Sequence, residues 1–314
     1  MILKPSEQTP IAALKIAELL QKAGIPDGVI NVVNGDKDIV EAICDHPGIE
    51  AVSFVGSTRV AKIVYKRAAG NLKRAVALGG AKNHLIVLPD ASEEMAANIV
   101  ASMSGCAGQR CMAASAMVAV GKTQSMIDKI CEEARKITAG GNMGTVISKE
   151  AKVRIEQYIS EAEAKGAVVL VDGRNKTVAG KEDGYYVGAT IIDQVTADMK
   201  IAQEEIFGPV LVIMRTDDID EAIRIENASN YGNASSVYTQ NGSLANYIMD
   251  RVSAGMVGVN VGVPVPREPF SFGGWNESRF GVNDITGKNA IQFWTKLKKR
   301  TTKWNAEDWT DWMS

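Results

Sequence analysis

This chain of 314 residues has only two histidines and four cysteines, carries no excess of either charge, and contains no apolar run long enough to cross a bilayer. Cys44, Cys106, Cys111 and Cys131 form no C-x-x-C pair, and His46 and His84 stand far apart. That combination argues against a structural zinc site, so no metal is expected. Four cysteines in a chain of this length do not make a disulfide framework either, and a reducing, cytoplasmic setting with free thiols is expected. No apolar stretch approaches the ~18 residues of a membrane span. Lys4-Pro5-Ser6-Glu7 interrupts any hydrophobic region near Met1, so no signal peptide is expected. Charge is balanced, with 35 Lys and Arg against 37 Asp and Glu. Lys296 to Lys303 gathers five basic residues in eight, a short solvated run that does not make a nucleic-acid surface. Neither G-x-G-x-x-G, nor an internal repeat, nor a low-complexity tract occurs.

What is present is an apolar fraction of 46%, enough for a globular protein of about two domains. The first ninety residues alternate helix and strand signals. Thr9 can cap a helix with Pro10 at its first position, and Ile11, Leu14, Ala17 and Leu20 give it an apolar face. Val29 to Val33 reads as a short strand closed by Asn34-Gly35, and Asp38 to Cys44 as a weaker helix. The strand Ala51 to Val55 leads through Gly56-Ser57-Thr58 into a helix extending through Tyr65. Apolar runs follow at Ala75 to Leu78 and Leu85 to Leu88, then a longer helix, Glu150 to Lys165, and strands at Val210 to Met214 and Ser236 to Tyr238. Alternation at this spacing predicts parallel βαβ units and an α/β fold. Gly262 to Gly281, rich in Gly, Pro and Phe, predicts an ordered loop rather than a helix. The tryptophans Trp304, Trp309 and Trp312 are expected to pack on the body or on another subunit.

Three segments carry chemistry. Gly105-Cys106-Ala107-Gly108-Gln109-Arg110-Cys111-Met112 sets a cysteine directly after an arginine among small residues. A guanidinium favours the thiolate, and glycines let backbone N–H groups approach a reacting carbonyl. The other reading of such a cysteine is a small buried hydrophobe, which is also the reading given to Cys106. Ser53 to Thr58 is a strand, a glycine and two hydroxyl residues before a helix, which suits a pyrophosphate at the helix N-terminus or an ordinary Ser/Thr cap. Lys4 and Glu7 place a cation and a carboxylate three residues apart; a carboxylate can accept ribose hydroxyls. His46 and His84 sit in no motif that needs a base and are read as structural.

Taken together, the segments resemble the aldehyde dehydrogenase superfamily. Lys4-Pro5-Ser6-Glu7, Phe54-Val55-Gly56-Ser57-Thr58, Leu78-Gly79-Gly80, Gly108-Gln109-Arg110-Cys111 and Glu204-Glu205-Ile206-Phe207-Gly208-Pro209-Val210 follow in that family's order. So do Asn233-Ala234-Ser235-Ser236-Val237-Tyr238 and Phe270-Ser271-Phe272-Gly273-Gly274, so the resemblance covers essentially the whole chain. It implies an incomplete Rossmann-type NAD-binding domain over 1–81, an α/β catalytic domain over 82–283, and a C-terminal helix and tail over 284–314 that could serve oligomer contacts. It implies Cys111 as nucleophile, and NAD held by Lys4, Glu7, Gln8, Gly56, Ser57, Gly79, Glu205 and Phe207. Of these, Glu205 and Phe207 would position the nicotinamide end. Glu7 favours NAD over NADP, because a carboxylate repels a 2′-phosphate.

Two departures narrow the resemblance. Hydrolytic members carry a glutamate before Leu-Gly-Gly that activates water; that position is Ala77 here, and alanine cannot act as a base. The acyl enzyme is then expected to wait for a thiol, coenzyme A. Arg110 could bind a substrate carboxylate through two parallel hydrogen bonds, or could only tune the thiol or support the loop. Ala77, Arg110, the wording Gly80-Ala81-Lys82-Asn83-His84 and the loop Pro269-Phe270-Ser271-Phe272 are similar to the CoA-acylating methylmalonate-semialdehyde dehydrogenases. That branch implies oxidation of methylmalonate or malonate semialdehyde to propionyl- or acetyl-CoA with loss of carbon dioxide, in a homo-oligomer. The competing readings are a hydrolytic aldehyde dehydrogenase with another base, and a catalytically impaired fragment. In the family a long segment precedes the Lys-Pro-Ser-Glu motif, supplying nucleotide-binding strands, the asparagine of the oxyanion hole and an oligomer strand; three residues precede it here. Loss of one oxyanion donor costs ~10²–10³ in rate, so these 314 residues alone are expected to be weakly active or inactive, and prone to associate.

Overall fold

The structure, a computed structural model, describes residues 1–304. Its largest element is a seven-stranded sheet in the order Met256–Val259, Ala234–Tyr238, Asn83–Val87, Ala114–Val120, Val210–Thr216, Thr190–Asp193, Val168–Val171. Every neighbouring pair is parallel except the last, where Val168–Val171 runs antiparallel to Thr190–Asp193. Its central strands read as continuous apolar runs because both faces are buried. Ile86, Val118 and Val212 face the helices Lys149–Ala164, Ile219–Asn227 and Gly242–Met249, while Leu85, Met117 and Ile213 face Ala96–Ser104 and Gln124–Arg135. One irregularity interrupts the ladder: Asn83 pairs with Ala114 but His84 pairs with Ala116, so Ser115 is the extra residue of a β-bulge.

The first part of the chain builds smaller sheets. Ile2–Leu3 pairs in parallel with Asn31–Val32. Ala51–Val55 pairs in parallel with Arg74–Leu78 over five residues. The late strand Arg279–Gly281 returns to pair antiparallel with Arg74–Leu78, so this sheet is closed by sequence from far along the chain. Val52 packs with Val64 and Ala68 of helix Thr58–Gly70 on one side. On the other, Val76 and Leu78 pack on Phe293 of helix Gly287–Trp294.

The strand Ala51–Val55 lies where the pattern predicts it, and most other elements lie within a few residues. The first helix begins at Ile11, with Pro10 as its flanking residue and no side-chain cap; Thr9 does not cap it. None of the residues of this helix is fully buried: of its apolar stripe Leu14, Ala17 and Leu20 are half-buried and Ile11 is exposed. Gly262 to Gly281 is irregular apart from the short strands Trp275–Asn276 and Arg279–Gly281. Trp304 is 85% exposed, so it does not pack on the body; Trp309 and Trp312 lie outside the described residues. No helix among the described residues is long and apolar enough to cross a membrane.

Candidate active site

The chemistry-bearing residues gather where two sheets meet, and the two sheets present opposite ends. Gly56 and Gly79 directly follow the strands Ala51–Val55 and Arg74–Leu78, at their C-terminal ends, where open α/β sheets bind ligands. Cys111, Asn83, Phe207 and Asn233 lie at or just before the starts of Ala114–Val120, Asn83–Val87, Val210–Thr216 and Ala234–Tyr238, at the N-terminal edge of the larger sheet.

The loop before Cys111 is wound tightly. Cys106, Ala107 and Gly108 take φ of 54°, 52° and 69°, three successive left-handed residues of which only one is glycine. Gly108 is required for contact as well as conformation, because a Cβ there would stand 2.1 Å from the Gly208 carbonyl oxygen. The thiol loop thus lies backbone to backbone against the turn after Phe207. Gln109 ties it further: its Oε1 accepts from Ile147 N–H at 2.8 Å.

Cys111 is partly buried, and all four cysteines are free. Its thiol is pushed above the usual range, first by burial and then by the negative charge of Glu205. The N–H groups of Cys111 and Met112 and the charge of Arg110 pull the other way without prevailing. Arg110 does favour the thiolate, as its place in the sequence suggests, but burial outweighs it. Arg110 folds back over Gly105, and its Nη2 donates to the carbonyls of Ala101 and Ser102 at 3.1 and 3.2 Å, at the end of helix Ala96–Ser104. Its Nε is buried without a partner among the described residues. Cys106 is exposed, not the small core thiol expected.

Glu205 reaches the same region. Its Oε1 accepts from Ala81 N–H at 3.0 Å, and a Cβ on Gly80 would stand 2.5 Å from Oε2 and displace this carboxylate. Burial pushes this carboxyl up against the pull of Ala81 N–H, Lys82 and Arg154. Lys82 is itself buried and pushed down to about 7, with Nζ donating to Ile201 O at 2.7 Å. Between Val76 and Asn83 the chain carries no carboxylate; Ala77 is buried in its strand, paired with Phe54 and Phe280. Phe207 has φ of 53° and stays half-exposed.

At the other sheet, Ser57 flanks the 13-residue helix Thr58–Gly70 in extended conformation, and its hydroxyl makes no capping bond. The first-turn N–H groups are thus left without a side-chain acceptor, the arrangement that receives anions. Thr58 Oγ1 accepts from Gly80 N–H at 2.8 Å, joining this turn to the glycine loop beside Glu205. Lys4 and Glu7 pair with each other at 3.2 Å, and Gln8 N–H donates to Ser6 Oγ. Among the described residues no hydrogen bond or ion pair joins Lys4, Glu7 or Gln8 to the Gly56–Thr58 turn. His46 Nδ1 accepts from Gly48 N–H, and His84 is buried and held neutral, pushed down to about 3 by burial and Lys82.

Sequence reasoning assigned no role to Thr58, Lys82, Asn83 or Asn233, although each lies within or beside a quoted motif. Their roles depend on partners distant in sequence. Asn83 and Asn233, for example, both donate to the carbonyl of Cys111.

Comparison with known proteins agrees with this geometry. A sequence profile described as the Aldehyde dehydrogenase family matches residues 1–300. A malonate-semialdehyde dehydrogenase of Halalkalibacterium halodurans is 43% identical over 311 residues, covering 96% of this chain and 64% of the relative. A Drosophila melanogaster protein named as a probable acylating, mitochondrial methylmalonate-semialdehyde/malonate-semialdehyde dehydrogenase is 47% identical, covering 99% of this chain and 61% of its own. A Sinorhizobium meliloti structure, described as a methylmalonate-semialdehyde dehydrogenase complexed with NAD, superposes with a TM-score of 0.94 at 44% identity. It covers 97% of this chain and 64% of its own. The chain thus spans a little under two thirds of the length of these relatives. This chain belongs to the aldehyde dehydrogenase family.

Proposed function

We propose that the chain carries an NAD-dependent, CoA-acylating oxidation of a short carboxylated aldehyde, methylmalonate or malonate semialdehyde, with Cys111 as nucleophile. The observation that carries this reading is a partly buried thiol whose charged form the N–H groups of Cys111 and Met112 favour, in a site whose glycine loop from Val76 to Asn83 holds no carboxylate to activate water. The names of the relatives support the substrate class.

Cys111 thiolate adds to the aldehyde carbon, and its own N–H stabilises the resulting oxyanion. NAD, when bound, supplies the acceptor for the hydride that leaves this adduct, giving a thioester on Cys111. The residues suit that cofactor: the Ser57 hydroxyl is not spent on a cap, and among the described residues Glu205 Oε2 has no donor while Oε1 is fixed by Ala81. Ser57 and Gly56 would receive the pyrophosphate, Lys4, Glu7 and Gln8 the adenosine end, and Gly79, Glu205 and Phe207 the nicotinamide end. Arg110 retains an Nε–H without a partner among the described residues, which would receive the substrate carboxylate. That carboxylate, β to the thioester carbonyl, leaves as carbon dioxide, because the thioester stabilises the enolate left behind, whose carbon then takes a proton from water. Before or after that loss, the thiolate sulfur of coenzyme A attacks the thioester carbonyl, Cys111 departs as thiolate, and acetyl- or propionyl-CoA is the product. We place the NAD-binding part in 1–81, the thiol part in 82–283 and the oligomer contact in 284–314, in a cytoplasmic homo-oligomer.

The test compares product formation with and without CoA, and reads the acyl adduct on Cys111 by mass spectrometry against Cys111→Ser. Acyl-CoA formed only with CoA, and an adduct absent from Cys111→Ser, are expected. Free acid formed at the same rate without CoA would overturn the acylating reading; no adduct on Cys111 would overturn the nucleophile.

A further inference from the structure

The carbonyl of Cys111 is held by two side-chain amides from different elements. Asn83, the first residue of its strand, donates from Nδ2 to Cys111 O at 2.8 Å and to Ala113 O at 2.9 Å, and its Oδ1 accepts from Ala234 N–H at 3.1 Å. Asn233 donates from Nδ2 to Cys111 O at 2.9 Å and to Met112 Sδ at 3.1 Å. Both asparagines are buried, at 5% and 6% exposure. One partner would satisfy a buried carbonyl; here both lone pairs are taken, by amides that are costly to bury. Ser115 makes this reach possible, because its bulge offsets the strand after Cys111 from the strand that begins at Asn83.

A trans peptide is planar, so the Cys111 carbonyl and the Met112 N–H belong to one rigid unit and point in opposite directions. Fixing the oxygen fixes the N–H, and donors on the oxygen polarise the unit so that its N–H donates more strongly. We infer that Asn83 and Asn233 are positioning residues that aim Met112 N–H at Cys111 Sγ and so favour the thiolate. The inference rests on the reading of Cys111 as nucleophile. It answers a need of this site: burial and Glu205 disfavour the thiolate, and Arg110 and the two backbone N–H groups are the features that oppose them.

The experiment follows alkylation of each cysteine by iodoacetamide against pH in the full chain, resolved by peptide mass spectrometry. It requires neither aldehyde nor NAD, so its failure is distinct from failure of the proposed activity. Asn233→Leu removes the donors without adding charge, and Asn233→Asp is isosteric with acceptors alone. Both are expected to move the midpoint of the Cys111 profile upward by about one pH unit, roughly a tenfold slower reaction below the midpoint. The high-pH plateau and the profile of the exposed Cys106 should stay unmoved. Asn83→Asp should shift the Cys111 midpoint in the same direction. An unchanged midpoint in variants that keep the buried Cys44 and Cys131 protected would overturn the inference. So would variants that all expose Cys44 and Cys131, because the asparagines would then hold the fold rather than the nucleophile.

Discussion

Glu226 is 3% exposed on helix Ile219–Asn227, and its Oε2 accepts from Ser253 N–H at 2.9 Å. Burial pushes this carboxyl up to about 7, with only the Ser253 N–H opposing. In the unfolded chain it would ionise in the ordinary carboxylate range. Below that range both states are protonated and nothing is lost. As pH rises towards 7 the unfolded state ionises first, so folded stability falls, by roughly 3 kcal/mol at the upper end. Glu226→Gln keeps an acceptor for Ser253 and removes the titration. Denaturant melts at pH 5 and pH 8 should show the variant gaining on wild type by a few kcal/mol at the higher pH. Equal differences at both values would refute the assignment.

Helix starts separate structural hydroxyls from spare ones. Ser148 Oγ accepts from Ala151 N–H at 3.2 Å at the start of helix Lys149–Ala164, so Ser148→Ala should cost about 1 kcal/mol in thermal or urea unfolding. Ser57 makes no such bond, so Ser57→Ala should cost only a few tenths of a kcal/mol while weakening nucleotide binding, read by titration calorimetry. A cost like that of Ser148 would make Ser57 an ordinary cap. At this scale the sequence was a good guide where the signal was local. Ala51–Val55, the turn at Gly56 and the helix after it could be read from periodicity and hydroxyl placement. Signals requiring a distant partner were not legible. Arg279–Gly281 is a strand because Arg74–Leu78 offers it a free edge, and Cys106 is exposed because the loop before Cys111 is wound left-handed. The depth of Cys111 was equally hidden, since the charge of Arg110 is written in the sequence and burial is not.

For the molecule as a whole, the apolar surface is unevenly covered. The central strands of the seven-stranded sheet are sealed on both faces, whereas Ile11, Ile16 and Leu19 on the first helix are 70%, 54% and 63% exposed. Leu72, Ile291 and Leu297 are 97%, 65% and 85% exposed. Exposed apolar area of this kind drives association. Light scattering of the 314-residue chain should show concentration-dependent oligomers, and Ile11→Lys with Leu19→Lys should reduce them. A strictly monomeric chain across the concentration range would refute this.

The bulge at Ser115 gives the site a further property. Asn83, Cys111 and Asn233 are indexed to three neighbouring strands, so the hydrogen-bonded ladder works as a ruler on which their relative positions are counted in residues. Each count is about 3.3 Å, larger than the tolerance of a hydrogen bond, and the extra residue acts as a fixed offset between two scales. Deleting Ser115 would restore a regular ladder and leave the cores on both faces largely intact, yet put the nucleophile one count out of step with the amides that hold it. The defect in the sheet is therefore what brings the site into alignment.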